Sequence, residues 1–241
     1  PPSFGQMSQT PSPFNLFDPL KLEEWARQNK QSYREAHPFP HIGFDGFFNE
    51  DILEKILGEF PSPREAQWIP YTHENSRKLA ITEEKKMGPV TWQALTQLNS
   101  SSFVQFLEEL TGIEGLIPDP HFWGGGLHQI ERGRFLKIHA DFNRHSRLKL
   151  DRRLNLLLYL NKGWKDEYGG HFELWERDMS RCVTRIAPLF NRMAIFSTTD
   201  YSWHGHPDQL TCPPDRSRRS LALYYYSNGR PDSEVSEANR K

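Results

Sequence analysis

From about residue 120 the chain breaks into short runs of β-forming residues separated by Gly, Pro and Asn, and this texture is the strongest constraint on its fold. The runs fall at residues 126–130, 134–139, 153–160, 170–176, 182–187, 192–197 and 219–226. Several short strands at this spacing indicate a sandwich or jelly roll rather than a βαβ sheet. Aromatic residues make up 13% of the chain, which suits a β-rich core and ring-lined pockets. Gly124-Gly125-Gly126 lacks the strand-then-helix setting that a phosphate loop needs, and no internal repeat is present.

The first half reads differently. Residues 1–20, rich in Pro, Ser, Gln and Phe without periodicity, are expected to form a loosely ordered arm. Residues 38–48 read as a short strand entering a loop, after which Asn49 caps a helix whose stripe is Ile52, Leu53, Ile56, Leu57 and Phe60. Two more helices are expected, one carrying Trp92, Leu95 and Leu98. The other follows the Ser100–Ser102 cap with Phe103, Phe106, Leu107 and Leu110, and ends near Gly112. Residues 61–90 mix charge with turn signals and receive no firm element. At 241 residues the chain is long enough for one substantial core. The expected organisation is an arm (1–20), a helical and irregular part packing on the core (21–119), the β core (120–230) and a flexible tail (231–241). The fold class is mainly β with flanking helices around a double-stranded β-helix of the jelly-roll or cupin kind.

Charge narrows the partners. With 30 Lys and Arg against 31 Asp and Glu, no global field favours nucleic acid or an anionic membrane surface. Apolar runs such as residues 154–160, with Asn155 inside, are far too short to cross a bilayer. The first residues show no charged n-region and no apolar h-region of a signal peptide. Cys182 and Cys212 make no disulfide framework, and reduced, structural thiols in a cytoplasm are the expectation.

His139-Ala140-Asp141 carries the chemistry. Two residues apart on a strand, His139 and Asp141 project from one face. A neutral nitrogen and an anionic oxygen can then bite one cation at about 2.1 Å. His204, far downstream in Ser202-Trp203-His204-Gly205, supplies a second imidazole if intervening strands bring it back. Two imidazoles and a carboxylate hold non-haem Fe(II) on one face and leave three positions open, although the same set also holds zinc. His145, His171 and His206 read as a polar rim, with His171 a candidate to face the pocket. His37, His41, His73, His121 and His128 have no partner at ligand spacing. Arg218 and Ser220 share one strand face while Arg219 takes the other. A guanidinium beside a hydroxyl is a plausible carboxylate clamp, against the alternative of a solvated strand end. Tyr159 could add a phenol to that clamp or be a core tyrosine. The Arg144–Arg153 stretch reads either as a basic lip or as a solvated loop.

Taken in order, these residues resemble the Fe(II)- and 2-oxoglutarate-dependent oxygenases, and among them the prolyl 4-hydroxylase-like group. The matching text is Phe135-Leu136-Lys137-Ile138-His139-Ala140-Asp141-Phe142, then Arg153 to Asn161, Trp164, Gly169-Gly170-His171-Phe172-Glu173-Leu174-Trp175 and Pro188 to Arg192. It closes with Ser202-Trp203-His204-Gly205, Cys212-Pro213 and Arg218 to Tyr226, covering roughly residues 120–228. The resemblance implies His139, Asp141 and His204 on iron, with Tyr159 and a strand arginine on the C5 carboxylate of 2-oxoglutarate. The adjacency of Arg218 and Arg219 leaves the register open, and the Tyr224–Tyr226 end together with the Arg-x-Ser face favours Arg218. It further implies O2 as co-substrate, ascorbate as a supporting reductant, and hydroxylation coupled to release of succinate and CO2. Related halogenating enzymes replace the metal carboxylate with a small residue, so Asp141 favours hydroxylation. A prolyl residue of a protein or peptide is the first substrate implied; a free amino acid, sugar or natural product is the alternative. A non-catalytic β-barrel binding module and a zinc hydrolase are the readings from other classes.

Overall fold

The computed structural model describes residues 12–65, 68–73 and 76–236. The outer parts of the expected arm and tail, residues 1–11 and 237–241, lie outside the described residues. The first part contains α1 (Leu22–Arg34), β1 (His41–Asp45), α2 (Glu50–Glu59), β2 (Ile69–His73), β3 (Ser76–Ile81), α3 (Pro89–Leu98) and α4 (Ser101–Thr111). The second contains β4 (Ile117–Pro118), β5 (Gly126–Glu131), β6 (Leu136–His139), β7 (Asp151–Tyr159), β8 (Phe172–Trp175), β9 (Cys182–Ile186), β10 (Arg192–Ser197), β11 (His204–His206) and β12 (Ser217–Ser227).

The strands follow one antiparallel path, β1-β10-β7-β12-β5-β3-β6-β11-β8-β9, with β2 added on β3 and β4 on β12. The path turns at β3, which pairs with β5 from Leu79 to Ile81 but meets β6 only at Ser76–Leu136. A long sheet and a short one (β6, β11, β8, β9) therefore face each other, the double-stranded β-helix expected from the sequence. Alternation along β12 sorts its residues. Leu221, Leu223 and Tyr225 join the main core with Leu154, Leu156 and Leu158 of β7. Arg218, Ser220, Tyr224 and Tyr226 line the opposite face, toward the short sheet. Burying a leucine of this wall contributes about 1.5–3 kcal/mol.

The helices cover the outer face of the long sheet. Asn49 accepts from the Asp51 amide and Ser100 from that of Phe103, so both expected caps form. Gly112 ends α4 in the left-handed region at φ 76°. Trp92 departs from the expected apolar stripe: it is 44% exposed, and its indole donates to Glu84. Helix α1 had no expectation from the sequence, because its buried residues are only Leu22, Ala26 and Tyr33 in a polar run. The Tyr33 hydroxyl reaches Ser197 at the end of β10 at 2.8 Å, which pins the helix to the sheet. The inner part of the arm is also anchored rather than loose. Leu16 and Phe17 are buried, and the Leu16 carbonyl accepts from the Asn49 amide. The stretch 61–90 supplies the β2–β3 hairpin, whose β3 completes the pocket wall. Cys182 and Cys212 are both free thiols.

Candidate active site

Strand pairing brings the distant histidine back. His204 on β11 lies directly opposite His139 on β6, and their rings stand 4.5 Å apart. The approach is close, since a Cβ on Gly205 would sit 2.7 Å from the Lys137 carbonyl oxygen, so only glycine fits there. Asp141 follows β6 and turns its carboxylate between the rings. His204 Nε2 is 3.2 Å from its Oδ2, and His139 Nε2 is 3.6 Å from its Oδ1. One ligand atom from each of the three residues lies within 4.8 Å of the others.

The surroundings prepare these atoms for a cation. His139 Nδ1 lies 2.8 Å from the Lys137 carbonyl and His204 Nδ1 lies 2.7 Å from that of Ser202. Each ring is thereby fixed with its proton on Nδ1 and a lone pair on Nε2 facing Asp141. Burial, helped by the neighbouring His204, lowers the pKa of His139 and keeps it neutral. Burial alone would raise Asp141, but Arg152 and the two histidines outweigh it and hold the carboxyl well below its usual range. Asp141 Oδ2 also accepts from Asn155 at 2.8 Å and meets Arg152 at 3.2 Å. Both come from β7, where a register shift opposite Tyr225 and Tyr226 turns residues three apart toward the same carboxylate. Two neutral nitrogens and one anionic oxygen fit a divalent transition metal.

The triad opens into a cavity of about 600 Å³ that Arg218 also lines. The Arg218 guanidinium is buried. Its Nε donates to the Gly170 carbonyl at 2.7 Å and Nη2 to the Tyr159 hydroxyl at 3.3 Å. No carboxylate pairs with it among the described residues. Gly170 is required here: its φ is +71°, and a Cβ would come within 2.9 Å of Arg218 Cδ. Ser220 lines the same wall, while Tyr159 lies behind Arg218, its ring 4.9 Å from the guanidinium carbon. Burial raises the Tyr159 pKa, partly offset by Arg218, so the phenol stays protonated. Arg219 faces the other way, donating to Gln129 and lying over the Phe60 ring. His206 lies on the cavity wall, buried, with neither ring nitrogen partnered. Burial, and the nearby Arg218 charge, hold its pKa well below normal. A neutral unpartnered imidazole beside an unpaired guanidinium fits one end of a small dicarboxylate.

Other histidines differ from the expected polar rim. His145 is buried against Asp119 at 3.1 Å. His171 contacts Asp166 at 2.6 Å rather than lining the cavity. His128, read as having no partner at ligand spacing, lines the cavity and reaches the Gly124 carbonyl. Arg152 and Arg153 are buried rather than part of a solvated loop. Lys78 and Asn155 had no assigned site role from the sequence, while His206 was read as polar rim and Arg152 as part of a basic lip or a solvated loop. Asn155 was the legible one, a lone amide inside an otherwise apolar strand.

Comparison with known proteins agrees with this geometry. Residues 125–226 match the model of the 2OG-Fe(II) oxygenase superfamily. None of the curated proteins matches the chain in sequence. A prolyl-4-hydroxylase from Pseudomonas putida superposes with TM-score 0.62 at 15% identity, covering 85% of this chain and all of the other. A prolyl hydroxylase from Trichoplax adhaerens, solved with a peptide fragment of the hypoxia inducible factor oxygen degradation domain, gives TM-score 0.57 at 17% identity over 92% and 96% of the chains. HygX from Streptomyces hygroscopicus, solved with nickel and 2-oxoglutarate, gives 0.56 at 11% identity over 89% and 94%.

Proposed function

We propose, from the match of residues 125–226 to the 2OG-Fe(II) oxygenase superfamily, that the chain is an oxygenase of that superfamily and hydroxylates an unactivated C–H bond while 2-oxoglutarate is decarboxylated to succinate and CO2. The observation that carries the reading is one cavity lined both by the His139, Asp141 and His204 donors and by Arg218, which has no carboxylate partner among the described residues.

In this reading Nε2 of both histidines and the Asp141 carboxylate hold Fe(II), which when bound supplies oxygen activation coupled to oxidative decarboxylation of the 2-oxo acid. Arg218 takes the C5 carboxylate, supported by Tyr159 and with Ser220 beside it; His206 adds a donor from its neutral ring. Asn155 and Arg152 orient Asp141 so that its oxygens face the imidazoles. Phe172 and Phe196, 5.4 and 4.6 Å from the His204 ring, keep that side of the centre dry.

A prolyl residue of a protein or peptide is the first substrate proposed, supported by the prolyl hydroxylases that share the fold. HygX, also solved with hygromycin B, supports a small molecule as the alternative. Ascorbate is proposed as a supporting reductant. No described helix is long and apolar enough to cross a membrane, and a cytoplasmic location is the proposed one. The test is succinate formation from 2-oxoglutarate by protein reconstituted anaerobically with Fe(II) and then exposed to O2. Formation that needs both Fe(II) and O2 is expected; none, from folded and metal-loaded protein, would refute the reading.

A further inference from the structure

His206 differs from the other imidazoles of the cavity in having nothing to hold it. The residue is 2% exposed, it lines the cavity, and neither ring nitrogen has a hydrogen-bond partner among the described residues. His139, His204 and His128 are each fixed by a backbone carbonyl. A buried imidazole without such an anchor is costly, because it has given up water and gained no bond in return. No hydrogen bond fixes the ring in one orientation, and a half-turn about Cβ–Cγ exchanges its nitrogen and carbon edges. A ligand in the cavity can therefore draw an N–H to itself.

The place of His206 in the fold gives that bond a second consequence. Strand β11 is three residues long, with the metal-side His204 at one end, His206 at the other and a shift in register between them. It pairs with β6 on one side and β8 on the other, both strands of the short sheet. Arg218 stands on β12 of the long sheet, its Nε and Nη2 fixed by the Gly170 carbonyl and the Tyr159 hydroxyl. The fields of Arg218 and His139 both act on His206, which places the ring close to clamp and centre alike. A carboxylate seated on Arg218 with one oxygen turned to His206 joins β11 directly to β12. An element already ordered by one ligand costs less to order for the next.

We propose that His206 couples the co-substrate to the metal: by donating to the carboxylate held on Arg218 it fixes the end of β11 and sets His204 in place for the cation. His206 is then a positioning residue for the centre as well as a contact of the dicarboxylate. The inference rests on the proposed oxygenase chemistry. It adds a path between the two sites through the protein, separate from any direct contact between the 2-oxo acid and the cation.

The test uses glutarate, which keeps both carboxylates and lacks the 2-oxo group, and Zn(II), which suits this donor set and has no redox chemistry. Calorimetry gives the glutarate affinity of metal-free and Zn(II)-loaded protein. Their ratio is the coupling factor, equal by linkage to the gain in Zn(II) affinity that glutarate brings. Contact of glutarate with the cation contributes to the factor in every variant, so differences between variants read the part carried by His206. The wild-type factor is expected to exceed that of His206→Leu at least about fivefold. His206→Asn and His206→Gln place an amide N–H near the positions of Nδ1 and Nε2, and one of them should regain the factor. In Zn(II)-loaded wild type isotopically labelled at histidine, glutarate should move the ring-nitrogen resonances of His206. Equal factors in wild type and His206→Leu overturn the coupling, because a donor that only adds affinity acts on both metal states alike. Two amides that both behave as leucine, His206 resonances that stay still, or loaded wild type that does not bind glutarate overturn it as well. Succinate formation under Fe(II) and O2 tests the oxygenase reading by itself, and its absence leaves the binding experiment readable.

Discussion

The two walls of the cavity are built to different standards. The β7–β12 wall is long and regular, with Leu154, Leu156, Leu158, Leu221, Leu223 and Tyr225 all buried behind it. It presents Asn155, Arg218 and Ser220 from strands of nine and eleven residues. The β6–β11 pair that carries the histidines is short, four and three residues, with a shift in register between His204 and His206. The long wall holds its side chains by packing. The short one holds its ligands by backbone carbonyls, by the close pass at Gly205 and by Asp141, which β7 grips through Asn155 and Arg152. A centre built this way leans on its ligand: a metal that binds His139 and His204 also ties the short sheet to the long one.

The largest expected effect breaks the link at its middle. Asp141→Ala removes the anionic ligand and leaves Arg152 without its partner, so Fe(II)-dependent succinate formation should fall at least about a hundredfold, measured beside metal content. At the rigid wall, Arg218→Ala should weaken 2-oxoglutarate binding by about 2–4 kcal/mol while metal content holds, read by calorimetry; Arg219→Ala should not. Asn155→Ala sharpens the comparison, because it loosens Asp141 without touching the metal, and metal affinity should drop about ten- to a hundredfold. The smallest effect concerns Lys78, whose ammonium is pulled down to about 8 by burial, with Asp141 opposing. The unfolded lysine keeps its proton to higher pH, so the folded state is penalised below pH 8 and recovers as pH rises toward the normal lysine value. In metal-free protein Lys78→Met should therefore melt above the wild type near pH 7, by on the order of 5 °C, with the gap closing by pH 10.

The difference between the walls also explains what the sequence revealed. The long strands announce themselves by alternation and apolar runs, so the seven expected segments fall on β5 to β10 and β12 with ends displaced by at most two residues. His139, Asp141 and His204 were legible as spacing and order; alternation put Arg218 and Arg219 on opposite faces, and the Tyr224–Tyr226 end with the Arg-x-Ser face favoured Arg218. Strand β11 is three residues between turns and gives no periodicity to read. Helix α1 buries too few apolar side chains in a polar run to be distinguished from loop, and β3 is hidden among turn and charge signals. Lys78 lay in a stretch with no firm reading and Arg152 in one read either as a basic lip or as a solvated loop, because only the folded chain shows both lining one cavity. Their role depends on neighbours that the linear order keeps far apart.

If the two walls form one site, a single small molecule bridges them. Titrating 2-oxoglutarate into protein loaded with Mn(II), into metal-free protein, into Arg218→Ala and into metal-free Arg218→Ala measures that bridge. Tight binding to the loaded wild type, with large and interdependent losses on removing the metal or the arginine, is the expected result. Binding that survives both removals, or losses that add with no coupling, would contradict a shared site between the His139–Asp141–His204 centre and Arg218.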